Sequence, residues 1–442
     1  MFKTLKNAWK IPELKNRLIF TLLIVILYRL GASIPVPYVA AGAVQSFKAN
    51  AAGILEYLNL LSGSAFSQAT LFALSVSPYI TASIVMQLLT IALPPLEKLS
   101  KQGAEGQKKI NAITRYVTVG LGLITAIGYA FILQNYGMLS FTNDDSGAFF
   151  KYAVMVACYC AGASIIMWLA EKINEFGIGN GISMILFANI VSSLPNVALA
   201  LWNLVFTQGG FKGFNIWGLL GALACIIIMV AIVMLIVCVT NSERRIPIQY
   251  AKRVVGRKMY GGQGTNLPLK VNMTGVMPII FASSIASLPA TFAAFFPNVG
   301  WLTWVAEHFS YDTWIYVVIN LILIVAFSYF YVMISFNPVE VSNNIKDNGG
   351  SIPGIRPGRP TSDYIQKVLN RITTIGAIFL CFISCFPMIV TIIAGYFKWQ
   401  ISGIAQIAFG GTSILIVIGV ALETVRELEA QMTLRNYKGF LD

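Results

Sequence analysis

Residues 59–93 read NLLSGSAFSQATLFALSVSPYITASIVMQLLTIAL, and how this stretch is interpreted decides the fold. Its second part, 72–93, holds the run of about 20 mostly apolar residues that a transmembrane helix needs. Its first part, Asn59 to Thr70, is too polar and too short to cross a bilayer, yet it enters the apolar run without a charged break. A short re-entrant helix over 59–70 is expected. Irregular or non-spanning backbone at membrane depth must be covered by protein or face water, so the chain is expected to enclose a cavity.

Working outward, further apolar runs predict nine more spans, at 18–36, 116–135, 149–170, 179–204, 213–239, 274–293, 313–335, 372–395 and 401–422. The expected fold is an all-α membrane protein with ten transmembrane helices. A division at the short loop Thr207 to Lys212 leaves five spans on each side, and this count suggests two pseudo-symmetric five-helix halves, 1–206 and 207–442. In a chain of 442 residues, 57% hydrophobic content excludes a soluble domain. The first run is longer than a signal-peptide core and no cleavage site with a polar mature domain follows it, so it reads as a retained span.

Threading the spans from a cytosolic N-terminus leaves five bases outside (Arg29, Lys48, Lys151, Lys212, Lys398) and five acids (Glu56, Asp144, Asp145, Glu307, Asp312). That face is neutral, and the formal net charge of +13 lies wholly on the other. Lys and Arg bias sets orientation, so the basic face is cytosolic and both termini lie there. Two long cytosolic loops carry much of it: 240–273, with Arg244, Arg245, Lys252, Arg253, Arg257, Lys258 and Lys270, and 336–371, with Lys346, Arg356, Arg359, Lys367 and Arg371.

Several function classes lack their residues. Every acid lies in a loop or at a span edge, whereas proton-coupled carriers keep an ionisable group at depth. Arg29 alone stands within a span, near the external end, where it can snorkel or pair with a loop acid. No G-x-x-x-x-G-K-[ST] loop occurs. Gly177-Ile178-Gly179-Asn180-Gly181 lacks the sixth-position glycine of a dinucleotide fingerprint and opens a membrane span. No span contains a histidine or an interior acid, so a nucleophile and base pair is missing. The six cysteines lie in apolar runs and read as small core residues, and the single His308 cannot build a zinc site. The expectation is a protein with no catalytic residue, metal or cofactor, driven by a partner.

Ile80 and Ile84 in the second span, and Ile182 and Leu186 in the fifth, stand at i, i+4 on one helix face, which by itself reads as ordinary packing. Polar side chains form a seam: Thr81, Ser83, Gln87 and Thr90 in the second span, Asn180 and Ser183 in the fifth, Ser283, Ser284 and Ser287 in the seventh, Thr412 and Ser413 in the tenth. Such groups join helices or line a wet path.

Phe72-Ala73-Leu74, Pro78-Tyr79-Ile80, Gln87-Leu88-Leu89-Thr90, Gly177 to Ser183, Arg244-Arg245-Ile246-Pro247, Leu267 to Asn272, Phe281-Ala282-Ser283-Ser284, Gly354-Ile355-Arg356-Pro357-Gly358 and Gly410-Gly411-Thr412-Ser413 together closely resemble the bacterial SecY family, the channel subunit of the protein translocase. The resemblance runs from the first span to near the C-terminus. It implies a clamshell of two five-helix halves around an hourglass pore, with an apolar constriction formed by Ile80, Ile84, Ile182, Leu186, Ile280 and Ile416. It implies that 59–70 is the plug, whose Ser62, Gly63, Ser64 and Ala65 bury little apolar area and leave easily. It also implies a lateral gate between spans two and three on one side and seven and eight on the other, with Thr81, Gln87, Asn180, Ser283, Ser284 and Thr412 as its polar cluster. Arg244, Arg245, Arg257, Lys258 and Arg356 match docking positions for the motor ATPase SecA and for the ribosome, and small SecE and SecG subunits are implied as partners. Phe176 stands where the family often has a basic residue. The expected function is a passive channel of the bacterial plasma membrane that passes signal-peptide-bearing polypeptides across the lipid bilayer or releases them into it; the alternative is a multispanning small-solute carrier.

Overall fold

Each expected span acquires a helix, the structure that satisfies every backbone N–H and C=O inside its own segment where no water is available. A computed structural model describes residues 6–40, 59, 62–141, 147–205, 216–250, 253–255, 258–260, 264–295, 300–309, 313–396 and 410–438. The spans are α1 (Pro12–Gly31), α2 (Ser77–Ala92), α4 (Ala104–Asn135), α5 (Ala148–Phe176), α6 (Gly181–Val205), α7 (Ile216–Asn241), α8 (Met277–Phe295), α10 (Trp314–Ser335), α12 (Arg359–Tyr396) and α13 (Gly410–Lys438). Three shorter helices, α3 (Pro94–Lys101), α9 (Gly300–His308) and α11 (Pro338–Asp347), join them.

Among the described residues, six of these helices are long and apolar enough to cross a membrane by themselves, and α2 with α3 makes a seventh if the bent pair counts as one. The others fall short for visible reasons. Lys15, Arg17 and Arg29 interrupt α1, α8 has a shorter apolar stretch, and the first nine residues of the tenth expected span lie outside the described residues. Helix α2 has only 16 residues, about 24 Å of rise, less than the roughly 30 Å hydrocarbon core. It starts at Ser77-Pro78, five residues later than expected, and ends before Pro94-Pro95, where the chain turns by 98° into α3. The missing depth is taken up by the segment that precedes it.

That segment corrects the expectation of a helix over 59–70. Leu60 and Leu61 lie outside the described residues, and 62–69 run as consecutive turns. The serines cause this. The Ser62 hydroxyl donates to the Asn59 carbonyl and accepts from the Phe66 N–H, both at 3.0 Å; the Ser67 N–H donates to Asn59 Oδ1 at 3.0 Å and its hydroxyl to the Ser64 carbonyl at 3.1 Å. Such local bonds compete with the helical ladder. Ser64 and Ala69 adopt positive φ values of 72° and 49°, a conformation that costs an L-residue roughly 1–2 kcal/mol.

The two long basic loops fold together. Strands β1 (Glu243–Tyr250) and β4 (Gly264–Lys270) pair antiparallel from Glu243↔Lys270 to Gln249↔Gly264. β5 (Gly350–Ser351) joins the other edge of β1 through Gln249↔Ser351 and Tyr250↔Gly350, giving the order β4-β1-β5. Between them β2 (Arg253–Val255) and β3 (Lys258–Tyr260) form a separate hairpin. Along β1 the side chains alternate as a half-buried strand must: Ile246 and Ile248 face a small core with Leu269, Ile345, Ile352, Ile365 and Ile372, while Arg244 and Arg245 stay exposed. Helix α12 belongs to both parts of the molecule. It starts in this basic module and continues through the ninth expected span.

In the membrane part α1, α2, α4, α5 and α6 pack among themselves, as do α7, α8, α10, α12 and α13. The two sets meet on one side where α6 touches α7 and α13, and on the other where α8 touches α2 and α4.

Candidate functional site

Ile80, Ile84, Leu186, Ile280 and Ile416, expected at a constriction, all stand in one buried apolar cluster, and Ile182 packs against it. They come from α2, α6, α8 and α13, so both helix sets contribute. None of these side chains carries a polar atom, and their mutual packing has no directional bond to break when it deforms.

The turn-rich segment meets this cluster directly. Ala65 is a member of it, as are Phe72 and Val76 on the way into α2. Ser62, Phe66, Ser67, Ala69 and Thr70 are buried as well, while Gly63 and Ser64 are half-buried. Arg29, expected to snorkel or pair with a loop acid, donates to Asn189 Oδ1 on α6 at 3.5 Å, and Asn189 Nδ2 donates to Ser75 Oγ at 3.2 Å.

Helix α8 packs on α2 and α4 along a seam, where a lateral gate is expected. The hydroxyls along it bond within their own helices: Thr81 to the Ser77 carbonyl at 3.1 Å, Thr90 to that of Met86 at 2.7 Å, Ser283 to that of Ile279 at 2.8 Å, and Ser287 to that of the half-buried Ser284 at 2.9 Å. None of these four donors crosses the seam. Gln87 on α2 stands beside the Tyr331 phenol on α10, the polar pair that faces across it. A cavity of about 60 Å³ lies at the external part of the seam, lined by Phe66, Pro78, Tyr129 and Thr291.

Asn180 plays a different part from the one expected. Its Oδ1 accepts from the N–H groups of Ile182 and Ser183 at 3.0 and 3.4 Å, which makes it the N-cap of α6 and fixes the helix end that carries Ile182. The rest of the glycine loop is held by side chains from three helices. Thr21 Oγ1 accepts from the Ile178 N–H at 3.1 Å, Asn174 Oδ1 from Gly181 at 2.7 Å and Glu427 Oε2 from Gly179 at 2.8 Å. A Cβ at Gly181 would stand 1.9 Å from the Ala170 carbonyl oxygen, so only glycine fits there. With these N–H groups engaged, the loop has no free cradle for a phosphate. Phe176 stacks edge-on against Phe20 and lies under the Lys172 ammonium. Thr412 stands in the first turn of α13, its side chain outside the described part.

On the side of the β-sheet module a cavity of about 530 Å³ opens between α7, α8, α12 and α13. Lys270, Glu423, Arg426 and Glu427 line its mouth. Burial, with Glu427 nearby, raises the Glu423 carboxyl above its usual range; burial, with Arg426 nearby, lowers the Lys270 ammonium. Arg426 is anchored to the Thr240 carbonyl at 2.8 Å and to Asn241 Oδ1 at 2.7 Å. Of the expected docking residues, Arg244 and Arg356 are exposed, and Arg245 is exposed but paired with Glu243 at 2.6 Å. Arg356 sits in a loop pinned by Ser342, which donates to the Gly358 carbonyl, and by Thr361, which donates to that of Arg356. Arg257 lies outside the described residues, and Lys258 is in β3 with its side chain outside the described part.

The contacts made by Glu427, Asn189, Tyr331, Tyr129 and Tyr159 were not expected from the sequence. For Tyr129 and Tyr159 a signal existed: a phenol inside a span, away from the interfacial belt, needs a partner for its hydroxyl.

A buried apolar cluster shared by two sets of membrane helices, with a non-spanning segment packed into it and a polar cavity reaching its Val276 and Leu415, defines a polytopic helical membrane protein. Comparison with known proteins gives the family. A family model described as SecY matches residues 70–425. The protein translocase subunit SecY of Streptomyces galbus is 43% identical over 451 residues, and that of Bacillus subtilis (strain 168) is 40% identical over 445, each comparison covering all of both chains. Among solved structures, a protein-conducting channel superposes with a TM-score of 0.59 at 17% identity over 96% of each chain, and Sec61 in a canine ribosome-channel complex with 0.58 at 16% over the same shares. The chain belongs to the SecY family.

Proposed function

We propose that this chain is the conducting subunit of a protein translocase, passing unfolded secretory polypeptides across the plasma membrane and releasing membrane proteins sideways into the lipid. The observation that carries the reading is the single buried cluster in which Ile80, Ile84, Leu186, Ile280 and Ile416 meet Ala65. A ring of branched aliphatic side chains excludes water and ions by dewetting. It can also yield to any passing side chain, because it holds no partner by a directional bond. The segment 59–70 acts as the plug, and the two helix sets, 1–206 and 207–442, act as leaves that part between α8 and the pair α2 and α4. The seam hydroxyls Thr81, Ser283 and Ser287 favour such parting because each is satisfied at home.

The energy comes from outside the chain, and the cytosolic module is its landing surface. Exposed Arg244 and Arg356 suit carboxylate and phosphate alike, which fits both a SecA-type motor and ribosomal RNA. Relatives named as subunits of a translocase, and a neighbour of the same fold solved in a ribosome-channel complex, support a multi-chain assembly, here with SecE- and SecG-type partners. Both termini face the cytosol. Reconstitution tests the reading. In proteoliposomes holding the complex, a signal-bearing polypeptide is expected to become protease-protected only with motor and ATP, and Arg356→Glu should reduce that protection by about tenfold or more, the scale of a lost buried charge contact of 1.5–3 kcal/mol, while the variant still assembles. Protection without the chain, or full protection with the variant, would refute it.

A further inference from the structure

We propose that Tyr129 on α4 and Tyr159 on α5 form a latch that holds the plug segment by its backbone, and that this latch sets how readily the resting channel opens. The proposal rests on reading 59–70 as the plug. The Tyr129 hydroxyl donates to the Phe66 carbonyl at 2.5 Å, and the Tyr159 hydroxyl to the Ala69 carbonyl at 3.3 Å. Both rings are essentially fully buried, and they pack edge to face with centroids 5.0 Å apart, while Tyr129 also meets the Phe66 ring at a tilt of 48° with centroids 4.6 Å apart. Each tyrosine therefore holds the other in place as well as the segment. On the far side the fit leaves no slack: a Cβ on Gly63, at φ 62°, would stand 2.9 Å from both Arg29 Nη1 and Ser192 Oγ.

The rest of the segment is poorly suited to staying. Its internal bonds are local turns that travel with it when it moves, and two of its non-glycine residues hold left-handed backbone. The two hydroxyl bonds are different, since they exist only with the segment seated, and the Val36 N–H adds a third by donating to the same Ala69 carbonyl at 3.4 Å. A contact made in one state alone is what shifts an equilibrium between two states. The hydroxyls bond main chain, so they read the position of the backbone at 66 and 69.

Tyr→Phe keeps the packing and removes the bond. The intact complex in planar bilayers is expected to show a resting ion leak raised about fivefold by Tyr129→Phe, less by the longer-bonded Tyr159→Phe, and most by the double variant, the scale of one or two buried hydrogen bonds. Tyr116→Phe, on the same helix but exposed, serves as the control. Export of a polypeptide with a weakened signal should rise in Tyr129→Phe while export with a strong signal stays level; a merely structural loss would lower both. Deleting residues 62–65 separates the two readings. Leak raised by the deletion, but unchanged in the double Phe variant, would remove the latch and keep the plug. Leak unchanged by the deletion would remove both.

Discussion

The apolar ring and the segment seated against it are neighbours in one cluster, yet they are held by opposite means. Ile80, Ile84, Leu186, Ile280 and Ile416 keep their places by contact alone, so their energy changes gradually as the ring stretches and recovers as it closes. Residues 62–70 are held by a few directional bonds, to Tyr129 and Tyr159 above all, so they are either seated or released. In the proposed channel one region works as a gasket and the other as a switch. A channel that must pass chains of any composition and seal between them needs both behaviours, and a single kind of contact cannot supply them.

Substitutions should separate the two. The largest effect is expected from Ile416→Asn: an amide placed among aliphatic groups lacks a partner until water joins it, a penalty of roughly 1–3 kcal/mol that favours a wetted ring and a leak raised by about tenfold, with the plug still seated. Bilayer conductance measures it, and an unchanged conductance would argue against the gasket. The latch variants come next, at about fivefold, with opening that depends on the signal. The smallest effect is expected at the seam. Gln87→Leu removes its polar contact with Tyr331, and polar contacts between helices in membranes average about 0.6 kcal/mol, so lateral release of a marginally apolar segment should become about threefold easier. Thr81→Val should leave release unchanged, because its hydroxyl bonds its own helix. Equal effects at the two positions would contradict the claim that the seam hydroxyls are satisfied at home.

What the sequence could reveal follows the same division. The spans were legible because apolar length is a local property, and each expected run became a helix. The ring was legible only through the family resemblance, since Ile80 with Ile84 and Ile182 with Leu186 show no more than helical spacing. The switch was not legible. The bonds from Tyr129 and Tyr159 cross 63 and 90 positions, and the bond between Gly179 and Glu427 crosses 248; nothing in the composition near either end marks the other. The segment 59–70 was expected to be helical because its length and entry into α2 fit a re-entrant helix, but Ser62 and Ser67 turn its backbone by bonding locally. The long basic loops were legible as charge and not as structure, since β1 pairs with β5 across the whole stretch of chain that holds α8 to α11.

The central claim is that polypeptide passes through the ring. It is tested most directly by arresting a translocating chain that carries a photo- or thiol-reactive probe in complexes with Ile280→Cys, and in parallel with Met234→Cys, whose side chain is 66% exposed on the outer face of α7. The account expects a crosslink at position 280 that requires the motor and ATP, and none at 234. A crosslink at 234 without one at 280 would contradict it.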